Sequence, residues 1–273
     1  MGDTDWQEFE PMSISAARES QLLEAVNVLL DARRTSTPIA DLPVELRPTT
    51  IEEAYFAQDA MAQAYGPVGG YKIGAPNAEA TPMFAPMPLA WIAPGGALLS
   101  GAQWRYRGLE AEIAFQLGHD LPARETPYTR EEALAAVGSC HPVIEVLESG
   151  LTDPAAADRW SMWADMQMHG GLVYGPAVAG WETIDWNTET VALAVDGTVR
   201  VERTGSNTSG DLLKLIPWLA NHGVARTGGL KAGQWITTGS WTGNTLATAG
   251  STVDVNFHTA GRITLRFAPE DLG

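Results

Sequence analysis

The chain has 273 residues, 45% of them hydrophobic and 18% charged, the proportions of a globular protein with a sizeable core. A formal net charge of −16 excludes nucleic acid and anionic membrane as partners, because both are held by basic patches, and no run of about 18 apolar residues offers a transmembrane helix. The single cysteine, Cys140, excludes an intrachain disulfide and a cysteine-based zinc or iron–sulfur site.

Residues 1–12 are acidic and read as a loose tail without the basic and apolar regions of a signal peptide, so a cytoplasmic location is expected. Residues 15–34 read as an amphipathic helix, with Leu22, Val26, Leu29 and Leu30 at helical spacing. Pro38, Pro43 and Pro48 punctuate a connection. Thr50 to Glu53 has the pattern of a capping box and opens a second helix that ends at Gly66-Pro67. From there the chain reads mostly as strands. A short one spans 69–74, and 76–96 is rich in proline and methionine and reads as a loop. Further strands are expected at 109–116 and 142–148, separated by a short helix capped by Thr129 and Glu132. A hairpin turns at Asp196-Gly197. A helix follows at 211–222, with Gly223 as its stop and Pro217 as an irregularity. Strands at 234–239, 251–257 and 261–267 close the chain. The pattern is that of one α+β domain, with helices in front and a large mixed sheet behind.

Glu110 and Glu112 are two residues apart in a strand and so share a face. Two like charges side by side repel, and a hard divalent cation is one reason to tolerate them. The same pattern also fits a solvated face, because Leu109, Ala111, Ile113 and Phe115 form an apolar face opposite. Glu145 lies in a strand that is apolar on both sides, and a buried carboxylate needs a cation, a donor or a proton. It is either a ligand or catalytic acid, or a structurally satisfied one. Glu148, at the strand end, is expected in solvent. Lys72 is one of only three lysines and is flanked by Gly70 and Gly74, which permit close approach of a ligand; the alternative is a snorkelling surface lysine. Of the five histidines, His169 in Met-Gln-Met-His-Gly-Gly stands out, and none lies in a zinc-protease pattern. Phosphate-binding glycine loops and a nucleophile elbow are absent.

The ordered set Gly70-Tyr71-Lys72-Ile73-Gly74, Leu109-Glu110-Ala111-Glu112-Ile113-Ala114-Phe115, Ile144-Glu145-Val146 and Thr238-Gly239-Ser240-Trp241-Thr242-Gly243 resembles the 2-keto-4-pentenoate hydratase branch of the fumarylacetoacetate hydrolase superfamily. The resemblance runs from about residue 15 to the end. It takes in Gly118 to Pro122 and the helix at Trp218 to Asn221. It implies an N-terminal tail and helical region at 1–67, a mixed β-roll catalytic domain at 68–273, and a homo-oligomer. It also implies one Mg²⁺ or Mn²⁺ held by Glu110, Glu112 and Glu145, with Lys72 beside a small 2-oxo acid substrate. Asp165 and His169 would serve catalysis, and Met166, Ser240 and Thr242 would line the substrate.

The resemblance further implies a lyase working through the enolate of its substrate, with hydration of a 2-hydroxy-2,4-dienoate to a 4-hydroxy-2-oxo acid as the expected reaction. Decarboxylation and C–C hydrolysis use the same site and stay open, as does a non-catalytic ligand-binding homologue. The hydrolases of the superfamily carry a histidine–glutamate pair on an N-terminal lid, and no histidine precedes His119 here. Two departures concern the substrate. The family's Ala-Asp-Asn-Ala-Ser reads Ala164-Asp165-Met166-Gln167-Met168, and the stretch from Thr81 to Pro88 is compact and rich in proline and methionine. Both imply a more apolar substrate wall.

Overall fold

The structure, a computed structural model, describes residues 14–270. The acidic tail at 1–12 lies outside the described residues. Helix α1 spans Ala16–Arg34, opened by the Ser15 side chain, which accepts from the Arg18 N–H. Its buried stripe runs through Leu22, Val26 and Leu29 and continues to Arg33, a point that matters below. Helix α2 spans Ile51–Ala64. Thr50 caps it, but the expected reciprocal box is half made. The Glu53 carboxylate accepts from the Thr49 N–H and from Arg18, which ties the start of α2 to α1. The two helices share a core with Leu42, Leu46, Leu151, Ala164 and Met166, so residues far along the chain complete it. Each large side chain buried there contributes about 1.5–3 kcal/mol.

The strands begin with β1 (Val68–Gly74). The segment expected as a loop at 76–96 instead contains β2 (Met83–Pro88) and, after one 3₁₀ turn, β3 (Ile92–Pro94). Prolines hide these strands because they cannot donate to a ladder; here both strands lie at sheet edges, where that donor is dispensable. Next come β4 (Ala97–Leu99), β5 (Gly108–Leu117) and β6 (Leu121–Pro122). Helix α3 (Arg130–Ala135) has a complete Thr129–Glu132 capping box and leads into β7 (Val137–Leu147). Helix α4 (Arg159–Ala164) precedes β8 (His169–Tyr174). The hairpin of β9 (Thr190–Val195) and β10 (Thr198–Thr204) turns at Asp196 and Gly197, both with positive φ, as a type I′ turn requires.

Helix α5 (Leu215–His222) accommodates Pro217 in its first turn, where a backbone donor has no intrahelical partner. Gly223 caps α5 as expected, its N–H bonding the Leu219 carbonyl, and a separate turn, α6 (Val224–Thr227), follows and ends on Gly228 with φ +65°. The remaining strands are β11 (Gly229–Leu230), β12 (Trp235–Thr237), β13 (Thr245–Leu246), β14 (Thr252–Phe257) and β15 (Gly261–Phe267).

The strands form two main sheets rather than the single one expected. The larger runs β2-β1-β12-β5-β7-β8-β3, with β13 also paired to β5, and the smaller runs β10-β9-β14-β15-β4. Parallel pairs β1–β12 and β3–β8 among antiparallel ones make the larger sheet mixed. The main core packs Ile113, Phe115, Ile144 and Val146 of the larger sheet with Leu193, Val255 and Leu265 of the smaller. Among the described residues no helix is long and apolar enough to cross a membrane.

Candidate active site

In the antiparallel pairing of β5 with β7, Glu110 stands directly opposite Glu145, and Glu112 lies two residues along the same face. One carboxylate oxygen from each of the three lies within 4.8 Å of the others. Glu112 and Glu145 are each 1% exposed and Glu110 is half-buried, so the solvated-face alternative fails for Glu112. Beyond the trio, Met87, Ala114, Val143, Leu172 and Trp235 of the same sheet form a buried apolar cluster.

Each glutamate has a different set of partners. Glu112 Oε2 accepts from the Thr237 hydroxyl and from the Gly239 N–H at 3.0 Å. Gly239 has φ +88° and its Cα comes close to Gly74, which brings the segment after β12 against β1. Glu110 has the Ser240 side chain near it, which acts to lower its carboxyl against the larger effect of burial. Glu145 Oε1 accepts from Lys72 Nζ at 2.6 Å and faces His169 Nδ1 at 2.8 Å. Lys72 also donates to the Gln167 carbonyl at 3.1 Å.

The charges follow from these contacts. Burial, then the charges of Glu145 and Glu110, push the Glu112 carboxyl well above the ordinary range. Burial and the Glu145 charge also raise Glu110. Burial would raise Glu145 too, but the Lys72 ammonium and the His169 bond outweigh it and hold the carboxyl at about 2. For Lys72 the balance is reversed: burial works to lower it, and the carboxylates of Glu145 and Glu110 raise it, so the ammonium persists. Burial lowers His169 more than Glu145 raises it, so its ring is neutral and donates from Nδ1.

One lysine cannot neutralise three carboxylates. With oxygens within 4.8 Å of one another, each pair of full charges costs at least about 3 kcal/mol at an effective dielectric of about 20. Glu145 Oε2, buried and without a hydrogen-bond partner, adds a second unmet demand. An all-oxygen donor set with an orphaned buried oxygen fits a hard divalent cation.

Three expected residues are employed elsewhere. Asp165, fully buried, gives Oδ1 to Arg33 Nε at 2.6 Å and Oδ2 to the Ser149 hydroxyl and the Gly150 N–H, so no oxygen is left for a substrate. Met166 is sealed in the helical core. The Thr242 hydroxyl accepts from the Ala111 N–H and donates to the Gly243 carbonyl, which fixes the loop after β12. His169 is 0% exposed, with its ring beside Trp91, so it acts on Glu145 and cannot itself receive a proton from water in the pocket. Glu148, expected in solvent, is buried and accepts from the backbone N–H groups of Arg105, Tyr106 and Ser149.

The residues missed are Thr237, Gln167 and Arg33. Thr237 was within reach: it directly precedes the Thr238-Gly239-Ser240 motif and sits level with Lys72. Arg33 carried a signal too, since it extends the Leu22, Val26, Leu29 stripe by four residues. Gln167 carried none. It lies between Met166 and Met168, and all three have positive φ, at 50°, 55° and 63° for Gln167, Met166 and Met168. Such a run of non-glycine residues costs roughly 1–2 kcal/mol for each.

A cavity of about 960 Å³ lies elsewhere. Val146 and Val173 line it, and they alternate with Glu145 and Leu172, so it opens on the opposite face of the sheet from the carboxylates.

Residues 59–268 match the family described as fumarylacetoacetate (FAA) hydrolase C-terminal, and the chain belongs to that family. It is 28% identical over 158 residues to a 2-hydroxyhexa-2,4-dienoate hydratase from Comamonas testosteroni. That match covers 58% of this chain and 59% of the relative, so it spans about three fifths of the curated protein. In structure the chain is similar to a 4-oxalocrotonate decarboxylase from Pseudomonas putida G7 complexed with magnesium and adipate, with a TM-score of 0.79 at 22% identity, covering 93% of this chain and 100% of the other. A 2-hydroxyhepta-2,4-diene-1,7-dioate isomerase from Mycobacterium marinum is more distant, with a TM-score of 0.58 at 17% identity over 75% of this chain and 77% of that one. These likenesses establish the α+β fold with its N-terminal helical region and β-rich domain.

Proposed function

We propose that the chain is a divalent-metal-dependent hydratase that converts a 2-hydroxy-2,4-dienoate into a 4-hydroxy-2-oxo acid. The observation that carries this reading is the glutamate trio, two of its members buried, with its orphaned Glu145 oxygen and Lys72 alongside. Glu110, Glu112 and Glu145 would hold Mg²⁺ or Mn²⁺, which supplies a Lewis acid for a substrate with adjacent carboxylate and 2-oxo oxygens. The hydratase relative supports the choice of substrate class.

The chain's own residues divide the remaining work. An ammonium has three protons, and Lys72 gives one to Glu145 and one to Gln167, which leaves one for the substrate carboxylate. Thr237 and Gly239 hold Glu112 in place, and His169 holds Glu145. Lys72, Glu110, Gln167 and Ser240 are only part-buried and form the side from which a substrate enters. The net change is the addition of one water, with the hydroxyl at C4 and the 2-oxo group regenerated from the dienol. The reading extends to a homo-oligomer in the cytoplasm, which light scattering and cell fractionation check.

The test is incubation with a panel of 2-hydroxydienoates and acylpyruvates, with Mg²⁺ or Mn²⁺ supplied and products identified by mass. Gain of one water, abolished by chelation, is expected. Loss of carbon dioxide, C–C cleavage or metal-independent turnover would overturn the assignment.

A further inference from the structure

We propose that Arg33 of α1 is a positioning residue for this site, holding the left-handed turn at Met166–Met168 so that Gln167 and His169 meet Lys72 and Glu145. The inference rests on the function proposed above for its catalytic consequence, but its structural part stands alone. Arg33 is buried, and three of its nitrogens fan out to one short stretch of chain and its neighbour. Nε bonds Asp165 Oδ1 at 2.6 Å, Nη1 the His169 carbonyl at 2.9 Å, and Nη2 the Glu148 and Asp165 carbonyls at 2.8 and 3.0 Å. Asp165 and His169 are the residues that bracket the turn.

Nothing in the residue types of the turn favours its conformation, because methionine and glutamine have no preference for positive φ. A strained segment persists only where its surroundings over-determine it. Arg33 supplies that constraint from outside, and Asp165 passes it inward through Ser149 and Gly150. Within the turn the Met168 N–H bonds the Asp165 carbonyl, and the Glu148 N–H bonds the Met168 carbonyl. Two contacts emerge on the far side: the Gln167 carbonyl on Lys72, and His169 Nδ1 on Glu145 Oε1. Arg33 touches neither Lys72 nor a glutamate of the trio, and its effect on them passes through the turn.

The geometry excludes lysine as a substitute, since one ammonium cannot make a planar fan to four acceptors. It also allows chemical rescue, because Arg33 lines the 960 Å³ cavity on the opposite face, through which a small guanidinium can enter.

The experiment uses Arg33→Ala and Arg33→Lys in the full chain, with methylguanidinium as the probe. Amide hydrogen exchange at residues 148 and 165–169, Mg²⁺ affinity by calorimetry, and kcat and KM are measured together. In both variants local exchange should quicken while exchange in β5 and β14 stays as in the wild type. Mg²⁺ affinity should fall roughly 10- to 100-fold, with kcat falling more than KM rises. Methylguanidinium should restore all three in Arg33→Ala. If Arg33→Ala does not fold, Arg33→Lys carries the test. Wild-type exchange at 165–169 and wild-type Mg²⁺ affinity in Arg33→Lys, or rescue of melting temperature without rescue of kcat, would overturn the inference. Loss of local protection in variants of a wild-type protein that turns over no dienoate would instead uphold the clamp and sink the functional reading.

Discussion

Lys72 and Glu145 form a 2.6 Å ion pair although their strands are not neighbours: β12 and β5 lie between β1 and β7. Across a flat sheet three strand spacings come to about 14 Å, more than the two side chains comfortably bridge. A 2.6 Å pair across two intervening strands therefore requires the sheet to curl towards the face that carries both side chains. Glu110 and Glu112 on β5 lie between them, so the curvature gathers the trio around one cation-sized space.

Lys72→Met removes the only ammonium in that space. Glu145 then loses its counter-charge while buried, and the metal-free protein should lose on the order of 3 kcal/mol of stability, most of it recovered on adding Mg²⁺. Mg²⁺ should still bind, and turnover should fall about 100-fold or more. Thermal melts with and without Mg²⁺, together with steady-state kinetics, check both parts; wild-type turnover would retire Lys72 from the reaction.

Glu112→Gln should act with opposite signs on stability and function. An amide relieves the repulsion within the trio and can still accept from Thr237 and Gly239. The metal-free protein should gain on the order of 1 kcal/mol, or about 2 °C or more in melting temperature for a chain of this size. The stabilisation that Mg²⁺ gives the wild type should disappear. Scanning calorimetry across an Mg²⁺ titration reads both; an unchanged response to Mg²⁺ would take Glu112 out of the site.

Thr237→Val is close to isosteric and leaves the fold untouched while removing the hydroxyl that orients Glu112. Mg²⁺ affinity should drop roughly 10- to 100-fold, since the Gly239 N–H alone then holds the carboxylate. Isothermal titration against wild type decides it, and an affinity within twofold would show that Thr237 is dispensable.

His141 provides a pH-dependent stability remote from the trio. Burial lowers its pKa, and its ring bonds the Gly175 carbonyl and the Ser139 hydroxyl, each at 2.8 Å. The unfolded chain takes up this proton near pH 6.5, the folded chain only at lower pH. Between the two values stability therefore falls as pH falls, by at most about 1.4 kcal/mol per pH unit from this group. His141→Gln should flatten the curve in that window. Urea titrations at a series of pH values check it, and a slope identical to wild type would assign the effect to other groups.

What could be read beforehand follows from local chemistry. Glu145 was legible because an acid in a strand apolar on both faces demands a partner, and the pairing of Glu110 with Glu112 follows from strand alternation. The strands at Met83–Pro88 and Ile92–Pro94 were not, because clustered prolines cannot donate to a ladder and are tolerated at an edge, and edges are set by tertiary order. Arg33 was ambiguous, since a basic residue in the last turn of a helix already has a reason in the helix dipole. The turn at Met166–Met168 was invisible because its conformation is imposed from α1, more than a hundred residues away in sequence. The Asp165 carboxylate turns to Arg33, Ser149 and Gly150, and sequence order does not show which way a carboxylate points.

The prolines of the larger sheet have a consequence for how copies of the chain can meet. One edge of that sheet is β2, with Pro86 and Pro88, and the other is β3, three residues long and ending in Pro94. Neither edge presents an uninterrupted row of donors to an incoming strand. Fibril-like stacking is thereby discouraged at both ends, and assembly of subunits through this sheet is favoured on its faces, by side chains, over continuation of its ladder.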